Sequence, residues 1–250
     1  MPKALYSTND KYDATKYRHW INVAEPCEDT KESIRVMSFN LLSQHYVWDE
    51  VFRDFDPKYM AWDTHRFPLI NQTIAQLQCD IMCFQEMEYD VYLKYWEHNL
   101  TDYTSVFVKK SLPLYWGEKP SAHIDGVSIF VNKNRFEILA SEQINFGNYI
   151  IEHKNEFEIT DDLVKRVVPR NTVAVIVKLR DKLTNKIVYV ANTHLYWSPR
   201  FNDVKLIQAK ILLNILRRFT DQTPNPHVIM AGGFNSNNKS WTVQLLGSPQ

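Results

Sequence analysis

The sequence is poor in cysteine, has no long apolar run and carries no excess charge of either sign. Its three cysteines, Cys27, Cys79 and Cys83, match no zinc-binding spacing, and we expect reduced, buried thiols in an intracellular protein. No apolar run reaches the roughly 18 residues of a membrane span. The N-terminus also lacks the apolar segment of a secretory signal. The sequence therefore predicts a protein without membrane contact, in the cytoplasm, with the nucleus or mitochondrion as alternatives.

Charge balance bears on the type of partner. Lys plus Arg and Asp plus Glu both total 29, so the chain has no global basic field. Proteins that hold long nucleic acids by neutralising many phosphates usually have one. Any contact with nucleic acid is therefore expected to be short and local, such as a strand end held at a metal ion.

Hydrophobic periodicity predicts two regions. Residues 1–32 are polar and aperiodic, which indicates an N-terminal arm, and residues 33–250 form one domain with more strands than helices. Such a mixture favours an α/β fold in which two mixed sheets pack face to face with helices outside. Predicted strands cover 34–40, 80–86, 103–108, 126–131, 136–141, 172–179, 187–193 and 228–230; predicted helices cover 66–78, 93–100 and 203–215, the last capped by Asp203; residues 111–120 and 147–168 are predicted to be a loop and a polar surface excursion.

Four predicted strands end in polar residues that a sheet core does not need. Asn40 ends the first, Glu86 the second, His194 a later one, and Asn235 follows the last. In layered sheets, side chains from separate strand ends converge and form active sites. These residues are therefore candidate functional residues.

Each candidate also has a purely structural interpretation. Glu86 could be a solvated carboxylate, or a ligand of Mg²⁺, which prefers hard oxygen atoms and often uses only one or two carboxylates. His194 could be a structural histidine, or it could hydrogen-bond a phosphoryl oxygen as charge develops there. Asn40 and Asn235 could do the same, although an isolated asparagine is usually a turn residue.

Six short segments, in this order, resemble the endonuclease/exonuclease/phosphatase superfamily. They are most similar to its deadenylase branch, which contains the catalytic carbon-catabolite-repressor subunit, nocturnin and the Angel proteins. The segments are Met37-Ser38-Phe39-Asn40-Leu41-Leu42, Asp80 to Glu86, Asp125-Gly126-Val127-Ser128-Ile129-Phe130, Asn192-Thr193-His194-Leu195-Tyr196-Trp197-Ser198-Pro199, Asp203-Val204-Lys205-Leu206-Ile207-Gln208 and Gly232-Gly233-Phe234-Asn235-Ser236.

The resemblance implies a DNase I-like four-layer α/β sandwich. It also implies a Mg²⁺-dependent 3′-to-5′ RNA exonuclease, with Mn²⁺ as an alternative metal, that releases 5′-nucleotides from the 3′ end of single-stranded poly(A) or another RNA. The implied roles are metal ligand for Glu86, metal-site and phosphate contact for Asn40, phosphate contacts for His194 and Asn235, and substrate binding for Asn192, Pro199 and Asp125.

The sequence departs from the family pattern in two places. The family has Gly-Asp-Phe-Asn where this chain has Gly232-Gly233-Phe234-Asn235, so Gly233 lacks a carboxylate that helps to organise the site. The family also continues to further strands and a terminal Asp-His pair, which the chain to Gln250 does not contain. General acid–base groups of this kind typically raise the reaction rate by a factor of ~10² to 10⁴ each. We therefore expect impaired activity in this chain.

These observations leave two hypotheses of different classes. In the first, the chain is a Mg²⁺-dependent RNA exonuclease with reduced activity. In the second, it is an inactive member or fragment that binds RNA or a protein partner on the same scaffold. Retention of Asn40, Glu86, His194 and Asn235 favours the first, and Gly233 favours the second.

Overall fold

Two four-stranded sheets lie at the centre of the computed structural model, which describes residue 21 and residues 32–112 and 123–247. The first sheet has the strand order β1-β2-β4-β3 and the second has the order β5-β6-β7-β8. The strands are β1 (Val36–Asn40), β2 (Ile81–Glu88), β3 (Tyr103–Lys109), β4 (Asp125–Asn132), β5 (Phe136–Asn145), β6 (Val173–Asp181), β7 (Ile187–His194) and β8 (His227–Gly233).

Helices cover the outer faces of both sheets. The α-helices are α1 (Asp49–Phe52), α2 (Pro57–Met60), α3 (Phe67–Leu77), α4 (Tyr89–Val91), α5 (Glu97–Asn99), α6 (Phe146–Glu152), α7 (Asn202–Thr220) and α8 (Trp241–Gly247), with π-helical turns at Trp62–Arg66, Tyr92–Trp96 and Leu163–Val167 and 3₁₀ turns at Gln44–Tyr46 and Lys154–Glu156.

Alternation along the strands explains the layers. In β6, Val175 and Val177 face the first sheet and pack against residues such as Val127, while Ala174 and Ile176 face the opposite way and pack with α7. A strand buried on both faces reads as an almost continuous apolar run because successive side chains point to opposite faces. The predicted sandwich of two mixed sheets between helices is confirmed.

The segment 147–168 was predicted to be a polar surface excursion; most of it is exposed, but it also adds apolar residues to the core. Phe146 and Ile150 in α6 and Leu163 and Val167 in the π-helical turn are all buried in the core beside α7. Charged residues between them mask a sparse apolar pattern, which only tertiary packing completes.

The predicted capping role of Asp203 is wrong. Helix α7 starts at Asn202, and Phe201 occupies the N-cap position without a side-chain capping bond. Asp203 lies in the first turn, where Arg166 pairs with its carboxylate at 2.7 Å. Strand β5 runs on to Asn145, beyond its predicted end, and α8 was not predicted.

The remaining predictions concern the cysteines, the N-terminal arm, the loop 111–120 and membrane spans. Cys79 and Cys83 are free and buried, as predicted. The N-terminal arm, Cys27 and most of the loop 111–120 lie outside the described residues. Among the helices that the structure describes, none is long and apolar enough to cross a membrane.

Candidate active site

Two parallel strand pairs bring the predicted site residues to one end of each sheet. β1 and β2 are parallel, with Asn40 beside Gln85, so Asn40 and Glu86 meet at their carboxyl ends. β7 and β8 are also parallel, and His194 is directly opposite Gly233. Because the two sheets pack face to face, the His194 ring also reaches Glu86, with Nδ1 at 3.8 Å from Oε1. The structure therefore joins three of the predicted residues and Gly233 in one place.

Glu86 sits at an irregularity in β2. The register with β4 shifts between Gln85 and Met87, which leaves Glu86 without a partner residue on β4. Its φ is 55°, in the left-handed region that side chains other than Gly seldom adopt. Bulges and strained backbone of this kind re-aim side chains and are common at functional sites. The strained backbone therefore keeps Glu86 a candidate functional residue.

Backbone and side-chain donors fix both carboxylate oxygens of Glu86. Asn40 Nδ2 donates to Oε1 at 2.7 Å, and the backbone N–H of Ser43 donates to Oε2 at 3.1 Å. Burial raises the pKa of Glu86 above its ordinary value, although these two hydrogen bonds and nearby Lys110 oppose the change. Within the described chain, its one basic neighbour in ion-pair range is His194. The site thus holds a buried carboxylate that lacks a permanent cationic partner.

His194 is mostly buried, and one of its ring nitrogens lacks a hydrogen-bond partner among the described residues. Its side chain is 10% exposed. Nδ1 is fully buried without a hydrogen-bond partner among the described residues. Burial, assisted by the charge of Lys110, lowers the pKa of His194 to about 4, so the ring is neutral at pH 7. A neutral imidazole can act as a hydrogen-bond donor, an acceptor or a metal ligand.

Gly233 leaves room that the His194 ring fills. A Cβ at position 233 would lie 2.6 Å from Cδ2 and 2.9 Å from Nε2 of His194. Real Cβ contacts are longer, so any side chain at 233 would require the imidazole to move. A side chain at position 233 and the observed position of the His194 ring therefore exclude each other.

Asn192, predicted to bind substrate, is fully buried between the sheets. Its Nδ2 donates to the carbonyl oxygens of Phe84 and Ser128, each at 2.9 Å, and its Oδ1 accepts from Gln85 Nε2 at 2.8 Å. All three bonds cross from β7 to the other sheet, so they fix how the two strand ends face each other. Asn192 thus lies between the two sheets and ties β7 to β2 and β4.

Replacing Asn192 with Ala is expected to destabilise the fold by about 3 kcal/mol, because it leaves buried donors and acceptors without partners. Urea unfolding followed by circular dichroism measures this change. Asn148→Ala, at an exposed helical position, should stay within about 0.5 kcal/mol of wild type. Equal effects of the two substitutions would show that the inter-sheet bonds do not hold the sandwich together.

Asp125, also predicted to bind substrate, lies in a buried ion pair. Lys110 Nζ is 2.6 Å from its Oδ2, and Tyr46 Oη donates to its Oδ1 at 2.9 Å. The negative charge of Asp125 raises the pKa of Lys110, so the amine stays protonated despite burial. The pair carries no net charge, and its two members act in opposite directions on the pKa of Glu86 and on that of His194.

Asn235 and Pro199 lie together in the loops that follow β8 and β7. Both line an open groove of about 620 Å³, together with Lys205. Asn235 Nδ2 donates to Leu195 O at 2.7 Å, and Lys205 Nζ donates to Asn235 O at 2.7 Å. The loops after β7 and β8 are therefore tied to each other and to α7.

Sequence reasoning missed three kinds of site residue. Ser43 holds Glu86 through its backbone N–H, which no side-chain pattern reveals. Lys110 sits beside the site although it precedes a predicted loop. Lys205 and Gln208 belong to one of the six segments but had no predicted role; Gln208 Oε1 accepts from Tyr196 N at 3.0 Å, and a lysine in the core-facing row of an amphipathic helix is a signal that could have been used.

A second group of possible metal ligands lies nearby. One ligand atom each from Glu88, Asp90 and His123 falls within 4.8 Å of the others. Ser43 Oγ donates to Glu88, Lys94 pairs with Asp90, and His123 is half exposed. These contacts leave Asp90 Oδ1 buried without a hydrogen-bond partner among the described residues.

The sequence pattern of the Endonuclease/Exonuclease/phosphatase family matches residues 37–250. The chain belongs to this family. The resemblance seen in the six segments is thereby confirmed, and Asn40, Glu86, His194 and Gly233 all lie within the segments that carry it.

One sequence relative and two solved structures show which proteins this chain is similar to. A CCR4-Not complex 3′-5′-exoribonuclease subunit Ccr4 from Kluyveromyces lactis is 31% identical over 230 residues, which are 87% of this chain but 29% of that protein. The human nocturnin catalytic domain superposes with a TM-score of 0.63 at 24% identity over 84% of this chain and 67% of that chain, which shows the fold alone. ANGEL2, a 2′,3′-cyclic phosphatase, superposes with a TM-score of 0.66 at 26% identity over 85% of this chain and 56% of that chain.

Proposed function

We propose that this chain is a divalent-metal-dependent phosphodiesterase that removes nucleotides from the 3′ end of single-stranded RNA. The observation that carries the proposal is the strained, buried Glu86, held by Asn40 and Ser43 and facing His194. Similarity to Ccr4 exoribonuclease subunits supports RNA as the substrate class. The chain's neutral overall charge fits a substrate held by its end rather than along its length.

The residues at Glu86 fit a magnesium ion. A buried carboxylate without a cationic partner is costly by itself, and a single carboxylate completed by water and substrate phosphate suits Mg²⁺. Asn40 and Ser43 hold the carboxylate in one orientation, so its position is set before any ligand arrives. A bound cation would stabilise negative charge on the phosphoryl oxygens. We propose Mg²⁺, with Mn²⁺ as the alternative.

The other residues would position the RNA. His194 lies beside Glu86 and can donate a hydrogen bond to a phosphoryl oxygen. Asn235 and Pro199 border the groove next to it, where the last nucleotide would lie with its base against the Pro199 ring. Asn192 and the Lys110–Asp125 pair keep the two sheets and the local charge in place. In this chain Asn192 and Asp125 support the substrate site from within the core.

Gly233 favours a second candidate function. Without a carboxylate at that position the chain could bind RNA or a protein partner and catalyse nothing. The two candidates differ in one outcome, because a binding scaffold retains RNA and leaves its length unchanged.

A time course on 5′-labelled oligo(A) and on a mixed-sequence RNA, with Mg²⁺, Mn²⁺ or EDTA, tests the proposal. We expect metal-dependent shortening one nucleotide at a time from the 3′ end. A substrate ending in a 2′,3′-cyclic phosphate provides a further arm, because ANGEL2 acts on that group. RNA retained in a filter-binding assay but not shortened would support the scaffold, and removal of only the cyclic phosphate would contradict the exonuclease proposal.

Lys205→Met is expected to slow RNA shortening by about tenfold, because the buried amine no longer holds the carbonyl of Asn235 at the groove. Lys205 Nζ donates to Asn235 and forms neither a hydrogen bond nor an ion pair with Glu86. Metal affinity, measured by calorimetry, should therefore stay at the wild-type value. Lys210→Met, at an exposed position of the same helix, is the control, and an equal loss in both variants would contradict the positioning role.

A further inference from the structure

His194 Nδ1 is the observation from which this inference starts. It is fully buried and lacks a hydrogen-bond partner among the described residues. It points toward Glu86 Oε1 at 3.8 Å, too far for a hydrogen bond. A buried nitrogen left without a partner costs free energy, and a bound ion or water is one way to satisfy such a group.

Gly233 permits this orientation of the ring. With a side chain at 233, Cδ2 and Nε2 of His194 would be 2.6 and 2.9 Å from its Cβ. The imidazole therefore occupies space that a family aspartate would need, and it turns an additional ligand atom toward the carboxylate. Glycine at position 233 thus removes one possible oxygen ligand, the carboxylate, and at the same time leaves room for His194 Nδ1 to lie beside Glu86 as a nitrogen ligand.

We propose that Glu86 Oε1 and His194 Nδ1 together form a mixed oxygen–nitrogen site for a divalent transition-metal ion such as Mn²⁺. Two ligand atoms that are each about 2.1 Å from one ion lie at most about 4.2 Å apart, and the observed 3.8 Å is within that limit. Asn40 and Ser43 orient the carboxylate, and water fills the remaining positions.

Nitrogen ligation changes the expected metal preference. Carboxylate and water suit Mg²⁺, whereas an imidazole nitrogen favours transition metals. A nitrogen bound through Nδ1 also fixes the ring proton on Nε2, which is then the donor for a phosphoryl oxygen. The inference rests on the proposed function only in placing a metal at Glu86.

Electron spin echo envelope modulation of Mn²⁺ bound to tag-free protein tests the site without any need for catalysis. Wild type should show modulation from a directly bound nitrogen. His194→Ala should lose that modulation and bind Mn²⁺ about tenfold more weakly, with Mg²⁺ affinity changed by less than about twofold. Gly233→Asp, in which the new Cβ displaces the ring, should also lose the nitrogen modulation and is the second variant if His194→Ala does not fold.

His123→Ala is the matched control, since His123 is the imidazole of the Glu88–Asp90 cluster. It should retain the nitrogen modulation. Wild type without nitrogen modulation, or modulation lost in His123→Ala and kept in His194→Ala, would overturn the inference. Those results would leave the exonuclease proposal standing, whereas absence of RNA shortening beside an intact nitrogen signal would contradict the exonuclease and not the metal site.

Discussion

Glu86→Gln is expected to abolish metal-dependent RNA shortening, with a fall of about 10³-fold or more. Gln keeps the size of the side chain and one acceptor for the donors of Asn40 and Ser43. It removes the negative charge, and the site then offers a divalent cation no anionic ligand at this position. Rates of 3′ shortening in Mg²⁺ and in Mn²⁺, beside metal affinity by calorimetry, measure the effect.

Two controls separate chemistry from folding. Circular dichroism should give Glu86→Gln the wild-type spectrum, because Gln has the shape of Glu and position 86 lies at the bulge of β2, where it pairs with no residue of β4. Glu142→Gln, at an exposed position of β5, should keep both activity and metal affinity. Wild-type metal affinity in Glu86→Gln would show that the metal ligand lies elsewhere.

Gly233→Asp is expected to raise the rate of RNA shortening by about 10² or more, since a positioned acid–base or charge-bearing carboxylate contributes ~10² to 10⁴. The backbone at 233 is not in the left-handed region, so an aspartate needs no unusual φ. The His194 ring must move to admit the new Cβ, and this cost should appear as a modest loss of stability. Single-turnover kinetics on oligo(A) measures the gain.

Gly233→Asn and Gly233→Ala divide this effect into its parts. Both displace His194 in the same way as Asp, but neither supplies a charge. We expect neither to exceed wild type. If Gly233→Asn raises the rate of RNA shortening as much as Gly233→Asp does, the effect comes from movement of the imidazole. If no variant raises the rate, the missing carboxylate does not limit the activity of this chain.

The sandwich could be predicted because its strands are buried on both faces. A short, continuous apolar run such as that of β6 is typical of a strand that is buried on both faces. A polar residue directly after such a run is therefore easy to recognise in the sequence. Asn40, Glu86 and His194 were found in this way, and parallel pairing then brings them together. The polar residue at each strand end can be found from the local sequence, but only the parallel pairing of the strands shows that these residues lie close together.

Other parts of the site depend on tertiary contacts that leave no local pattern. Ser43 acts through its backbone, and the bulge at Glu86 appears only when β4 pairs with β2. Asn192 resembled a substrate ligand in the sequence, but its side chain is fully used by bonds between the sheets. A polar residue at a strand end looks the same in sequence whether it supports the site from the core or faces the substrate.

Errors in the helical regions have a related cause. Residues 147–168 combine frequent charges with widely spaced apolar residues, so their buried face was not apparent. Asp203 stands at a typical capping position, yet it pairs with Arg166 from that same segment. Arg166 precedes Asp203 by 37 residues in the sequence, so no local rule could have identified the pair.

Identification of the released product is the measurement that tests the account most directly. Oligo(A) would be incubated with wild type, Gly233→Asp, and Gly233→Asp combined with Glu86→Gln, and the products would be identified by mass spectrometry. The account predicts 5′-AMP, released slowly by wild type and faster by Gly233→Asp, only with a divalent metal, and absent from the double variant. Release of 5′-AMP that persists in the double variant, or its absence from Gly233→Asp, would contradict a phosphodiesterase site centred on Glu86.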